Sequence, residues 1–243
     1  MTIKSIWLRK IHKWVGLAIG LQFVIWAISG AAMALLDMET VAGGPQPQAT
    51  QAALAGEATA WPAIVRQLGS AKIKGLRLKT LLDRPVVEVR TARFVRMFDA
   101  QTGVRLTIDG AAARAIAQSS HPNGARPGAA KLLTERSLPV RDHEPPIWQV
   151  DFADDNASTY YVSATTGAVL ERRNDTWRWW DFFWMLHNMD YANRTSFNHP
   201  LIITVGFAAV WLAISGLYLL FRTGWKSDFK RRKPKRLAGK VVG

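Results

Sequence analysis

Trp14–Leu36 reads WVGLAIGLQFVIWAISGAAMALL, 23 residues without a formal charge. At about 1.5 Å rise per residue this makes roughly 34 Å of helix, enough to cross a hydrocarbon core of about 30 Å. Leu201–Phe221, LIITVGFAAVWLAISGLYLLF, is a second uncharged run of 21 residues, introduced by Pro200 at a first helical position where a missing N–H costs nothing. Two such runs predict two antiparallel transmembrane helices. A cleaved signal peptide is the alternative for the first: small residues at 31–34 resemble a cleavage site, but the apolar stretch exceeds the usual h-region of about 7–15 residues.

Outward from these runs, the charges sort themselves. The chain has 243 residues and a formal charge of +14. Residues 1–14 carry Lys4, Arg9, Lys10 and Lys13 and no acid, while residues 222–243 carry nine basic groups against Asp228 alone. The remaining 19 basic and 17 acidic residues leave the middle nearly neutral. A nucleic-acid-binding surface there is therefore not expected, and KRRKPKR at 230–236 reads as a topology anchor in contact with anionic membrane lipids. Lys and Arg beside a span mark its cytoplasmic end. Both termini are thus expected in the cytoplasm, with the central region across a bacterial inner membrane in the periplasm. With zero cysteines the chain forms no disulfide, thiolate metal site or covalently attached haem.

The predicted organisation is a basic tail (1–13), helix one (14–36), a Pro/Gly/Gln/Ala-rich linker (37–57), a folded domain (58–173), a Trp-rich interfacial segment (174–199), helix two (200–221) and a second basic tail (222–243). The domain shows one plan twice, about 58–108 and 109–173. A short helix near 61–69 precedes the strand-like GLRLKTL, PVVEVR and RFVRMFD, the turn AQTG and a closing RLTI; then Asp109 caps a helix to about Ser119, followed by AKLLTE, IWQVDF, STYYVSA, TTG and AVLERR. Gly103 and Gly167 supply the positive φ of the matching turns. A helix laid on an antiparallel sheet, used twice, is an α+β fold.

These features carry a resemblance. The Tyr-Val strand closed by A-T-T-G resembles a PepSY domain, with F-D-A-Q-T-G as a second, degenerate copy. LRKIHKWVGLAIGLQFVIWAISG (8–30), FWMLHNMDY (183–191) and the span ending SGLYLLF resemble the helices of PepSY-associated transmembrane proteins. The resemblance implies an envelope protein with a periplasmic PepSY unit held between membrane helices. Some larger relatives are haem-bearing inner-membrane reductases acting on ferric-siderophore iron. The present chain has two predicted spans where those relatives have about four, so a complete electron path would draw on a second copy or a partner.

Three of the five histidines lie at span boundaries. His12 sits at the cytoplasmic entry with Gly16 one turn on; His187 lies in TWRWWDFFWMLHNMDY among Trp177, Trp179, Trp180 and Trp184; His199 precedes Pro200. On a helix Trp180, Phe183, Trp184, His187 and Tyr191 would share one side, with Asp181 and Asn188 elsewhere. Neutral imidazole is a natural axial ligand of haem b, and a neighbouring glycine leaves room for the porphyrin. The candidate cofactor residues are thus His12, Gly16, Trp184, His187 and His199. His12 is a bilayer away from the other two and cannot share an iron with them. An outer haem could take His187 and His199; an inner one would need His12 of a second copy or a ligand from a partner. The alternative for His187 and the tryptophans is an interfacial aromatic belt, and for His12 a member of the basic flank.

His121 and His143 read as solvated surface groups, and Asp142 and Glu144 beside His143 as at best a weak metal site. Ala27–Gly30 and Ala213–Gly216 both spell AISG, and Gly16 with Gly20 forms a GxxxG; small residues of this kind allow close helix approach. No HExxH, nucleophile elbow, P-loop or dinucleotide fingerprint is present. Two functions follow. One is a haem-b electron-transfer component, expected as half of a homodimer or as one subunit beside a membrane-protein partner, delivering electrons to a periplasmic acceptor such as ferric-siderophore iron. The other is a membrane-tethered periplasmic adaptor or inhibitory module without cofactor.

Overall fold

A computed structural model describes residues 5–44, 60–192 and 194–224. It separates into two units: a helical unit built from residues up to Ser29, Leu186–Asp190 and Ser196 onward, and an α+β unit built from Gly30–Met185 and Tyr191–Thr195. The expected linker stretch 45–57 and most of the C-terminal tail lie outside the described residues.

In the helical unit, α1 (Ser5–Leu35) and α6 (Pro200–Leu219) are the two helices long and apolar enough to cross a membrane. They run antiparallel: the Cβ position of Gly16 meets Leu212, and that of Gly216 meets His12. Helix α1 begins nine residues before the uncharged run because Ile6, Trp7, Leu8 and Ile11 continue a helix-compatible sequence into the basic flank. Most side chains on both helices are exposed, the pattern of helices whose solvent is lipid. A narrow stripe on α1 is the exception: Ile19 is 7% exposed and Ser29 is 1% exposed.

The α+β unit contains two four-stranded antiparallel sheets, in the orders β1-β2-β3-β4 and β5-β6-β7-β8. The first is β1 (Ile73–Leu81), β2 (Arg84–Thr91), β3 (Val95–Asp99) and β4 (Arg105–Leu106); the second is β5 (Pro127–Leu133), β6 (Ile147–Phe152), β7 (Thr159–Ser163) and β8 (Val169–Arg173). The predicted closing strand RLTI is only two residues long, as Asp109 caps the next helix through Ala112 N–H and withdraws the chain. Because strand side chains alternate, neighbouring residues of β3 serve different cores. Phe98 packs with Val87, Val89 and Ile64 and Leu68 of α3 (Trp61–Leu68). Met97 packs with Ala113, Ile116 and Ala117 of α4 (Gly110–Ser119) and with Val150, Tyr160 and Val162 of the second sheet. The far face of that sheet buries Ile147 and Tyr161 against Val140. The layers are thus α3, first sheet, α4 and second sheet.

The matching turns seat this stack. Gly103 has φ +71° and approaches Ala60 and Ala63 of the α3 end, while Gly167 has φ +64° and approaches Leu81, Ile108 and Ile116. Each turn therefore needs glycine twice over, for its backbone and for the space its missing Cβ leaves.

Four expectations need correction. The start of the predicted linker is folded: Asp37 caps α2 (Met38–Val41) through Thr40 N–H, Gly43 lies against Arg172, and Asn174 Nδ2 donates to Thr40 O at 2.7 Å. His121 is buried, not solvated, stacked near Phe152 and Tyr160. Its Nδ1 accepts from Asn123 and Ala125 N–H, so its Nε2–H donates to Asp154 at 3.2 Å. Burial would raise the Asp154 pKa, but Ser158 and His121 outweigh it and hold the carboxyl below its ordinary value. His143 is half-buried, its Nε2 2.8 Å from Glu171; Glu144 pairs with Arg136. Helix α5 (Asp175–Asn188) ends before Tyr191, since Met189 turns to φ +57°; Tyr191 therefore does not join the aromatic side.

Asp181 on α5 is 1% exposed and binds Arg141 at 2.9 Å through Oδ1 and Arg194 at 2.7 Å through Oδ2. Removing the buried carboxylate that two half-buried arginines share leaves both without their partner. Asp181→Ala is expected to destabilise the unit by about 1.5–3 kcal/mol, measured by denaturant unfolding of the detergent-solubilised chain. Tyr161 supplies a pH signature: burial, then the Asp151 charge, pushes its phenol up to about 12. The folded state holds this proton more tightly than the unfolded chain, so its contribution is full below about pH 10 and declines as pH rises toward 12. Ultraviolet titration should show a late tyrosine step that Tyr161→Phe abolishes.

Candidate functional site

The candidate site is in the helical unit, where hydroxyl geometry decides which histidine nitrogens are free. A serine hydroxyl has one hydrogen and two lone pairs. Ser29 Oγ donates that hydrogen to Ile25 O at 2.7 Å, one turn back on α1. With the hydroxyl hydrogen so placed, its 3.1 Å contact with His187 Nδ1 is one in which the imidazole donates. The same arrangement recurs at the other end of the helix pair. Ser215 Oγ donates to Leu212 O at 3.1 Å, and His12 Nδ1 lies 2.8 Å from it as donor. With the serine hydrogens so placed, both rings are Nδ1–H tautomers whose Nε2 carries a bare lone pair, and Nε2 has no hydrogen-bond partner among the described residues. This is the form in which imidazole ligates a metal, with its other nitrogen held by an oriented partner.

Each histidine also has a tryptophan neighbour: Trp26 lies 6.5 Å from His187 and Trp211 lies 6.4 Å from His12, between ring centroids. Gly216 makes room for the second pair, because a Cβ there would stand 3.1 Å from His12 Cε1. Each station thus consists of a tryptophan, the serine of an AISG tetrapeptide and a histidine from another segment. His12 and Ser29 are 17 residues apart on α1, about 25 Å of helical rise, so the stations are separate.

The other predicted residues take different places. His199 caps α6, and its Nε2 donates to Asn188 O at 2.8 Å; only its Nδ1 is bare. Gly16 faces Leu212. Trp184 belongs to the α+β unit, where it neighbours Trp180 and lies 5.5 Å beneath the Arg141 guanidinium. Sequence reasoning passed over Ser29, Ser215 and Gly216 as site residues, although the AISG echo that contains them all was visible. Among the described residues no three His, Asp or Glu side chains gather as a metal site.

The tautomers can be read directly. Nitrogen-15 NMR of the histidines should place His12 and His187 as Nδ1–H and His121 and His199 as Nε2–H. Ser29→Ala should release His187 to a tautomer mixture and leave His12 unchanged, and Ser215→Ala should do the reverse.

Comparison with known protein families matches residues 9–240 to the PepSY-associated TM region. No curated protein and no solved structure matches the chain. Since the match runs from the basic entry of α1 through both sheets and beyond α6, the chain belongs to the PepSY-associated TM family.

Proposed function

We propose that this membrane protein is a haem-b electron-transfer component of the bacterial inner membrane, passing electrons toward an acceptor on the periplasmic side. The observation that carries the reading is the repeated serine–histidine pair, which leaves a bare Nε2 at each end of a transmembrane helix pair. Membrane-embedded ionisable groups are costly and tend to be functional. Imidazoles held in one tautomer at both ends are more than an aromatic belt or a basic flank requires.

The residues fit the group in part. His12 and His187 would each offer one axial imidazole, and haem ligated in this way supplies one-electron transfer. Ser215 and Ser29 orient those rings, Gly216 leaves space beside His12, and Trp211 and Trp26 give each station a low-dielectric wall. Bis-imidazole ligation would take a second histidine from another copy of the chain or from a partner protein. His199 is the less suited of the two outer histidines because its Nε2 hydrogen is engaged. Ferric-siderophore iron is the acceptor class we favour, on the strength of the family resemblance. Membrane sidedness follows from the basic tails, which favour cytoplasmic termini.

Purification in mild detergent followed by absorption spectroscopy tests the reading. A Soret band and a dithionite-sensitive α band are expected. His12→Ala and His187→Ala should each remove about half of the haem, whereas His199→Ala should retain it. A chain purified from haem-replete cells without any Soret band would refute the proposal and leave the adaptor function as the better account.

A further inference from the structure

Between the two histidine stations, α1 carries two polar groups that the helical unit does not satisfy. Gln22 Nε2 and Trp26 Nε1 are both shielded from solvent and have no hydrogen-bond partner. They are one turn apart, on the stripe of α1 that also carries Ile19 and Ser29. The nitrogens are donors, and the indole N–H can only be satisfied by an acceptor. In hydrocarbon no water is available to take that role.

Depth narrows the acceptor. The midpoint of the uncharged run is Ile25, so Gln22 lies about 4.5 Å from it along the helix and Trp26 about 1.5 Å. Tryptophan ordinarily favours the interface; this one lies well inside the uncharged run. A carboxylate or phosphate at that depth carries the full penalty of a charge in hydrocarbon. Phospholipid ester and headgroup oxygens lie in the interfacial regions, outside the hydrocarbon core. A second copy of α1 would offer at that depth one side-chain acceptor for the two donors, its own Gln22 amide oxygen. The remaining acceptor is a neutral oxygen on an apolar molecule that dissolves in the bilayer.

The geometry points to a binding site for a membrane-soluble quinone, with Gln22 and Trp26 donating to its carbonyl oxygens. The register that places Leu212 beside Gly16 and His12 beside Gly216 brings Gly206 level with Gln22, and the Cβ position of Gly206 meets nothing within 4 Å. A flat ring can therefore come close to the backbone near this depth. Because both nitrogens are shielded in the structure, binding requires a rotamer change at one or both side chains. The site shares Trp26 with the His187 station, but neither residue ligates iron, and quinone binding needs no metal.

The test uses the full chain in nanodiscs, titrated with decylubiquinone and corrected for partition into lipid. Saturable binding is expected, weakened about three- to tenfold by Gln22→Met or Trp26→Phe and unchanged by Trp14→Phe on the lipid-exposed side. Infrared spectra of carbonyl-labelled quinone on the unmodified chain give a readout that no folding defect can imitate: the carbonyl stretch should shift to lower frequency than in empty nanodiscs. An unshifted stretch, absence of saturation, or equal affinity in the doubly substituted chain would overturn the proposal. So would dissociation of a dimer by Gln22→Met without quinone binding in the parent chain, since that would assign the donors to a second copy. Haem content measured on the same samples separates this failure from failure of the electron-transfer reading.

Discussion

A hydroxyl inside a membrane helix has one hydrogen to give, and in Ser29 and Ser215 it goes back along the helix to a carbonyl one turn away. That local hydrogen bond is ordinary for serine in a transmembrane helix, but it has a consequence at longer range. With the hydrogens so placed, each oxygen is an acceptor, each facing imidazole donates from Nδ1, and each Nε2 is left bare. The ends of the helix pair thereby become chemically alike, although their histidines come from different parts of the chain.

The α+β unit solves a different problem, that of burying enough apolar surface in short repeats. Neither four-stranded sheet can cover both of its faces alone. Alternation in β3 sends Phe98 to the α3 core and Met97 to the α4 core, so the two repeats share α4 in one continuous stack. Polar groups that enter it are paired: Glu88 with Lys79 at 2.8 Å, His121 with Asp154, Asp181 with Arg141 and Arg194. Lys79 also donates to Thr166 O at 2.9 Å, tying the first sheet to the turn of the second repeat at the point where Gly167 lets the chains meet.

The two spans and the twofold α+β plan were legible in the sequence because each depends on local pattern: uncharged length for the helices, alternation and turn glycines for the strands. The errors have a common source. His121 stands in a loop rich in Pro and Gly, and loop composition predicts exposure; its burial depends on Phe152, Tyr160 and Asp154, more than 30 residues away. Stretch 37–44 reads as linker by composition, yet its carbonyls at Thr40 and Gly44 receive Asn174 and Arg172. Tyr191 fits a helical face by spacing, but nothing in that spacing reveals that the backbone leaves the helix at Met189.

By itself the sequence determined that the chain carries two helices long and apolar enough to cross a membrane, that its basic groups flank them, and that histidines stand near their ends, because charge, hydropathy and periodicity are properties of neighbouring residues. Which of those histidines keeps a bare Nε2 was decided only by tertiary structure. His12, His187 and His199 are equivalent as letters, and they differ because Ser215, Ser29 and the Asn188 carbonyl meet different nitrogens. Hydrogen bonding distinguishes them, since the fold sets a different partner against a different nitrogen of each ring.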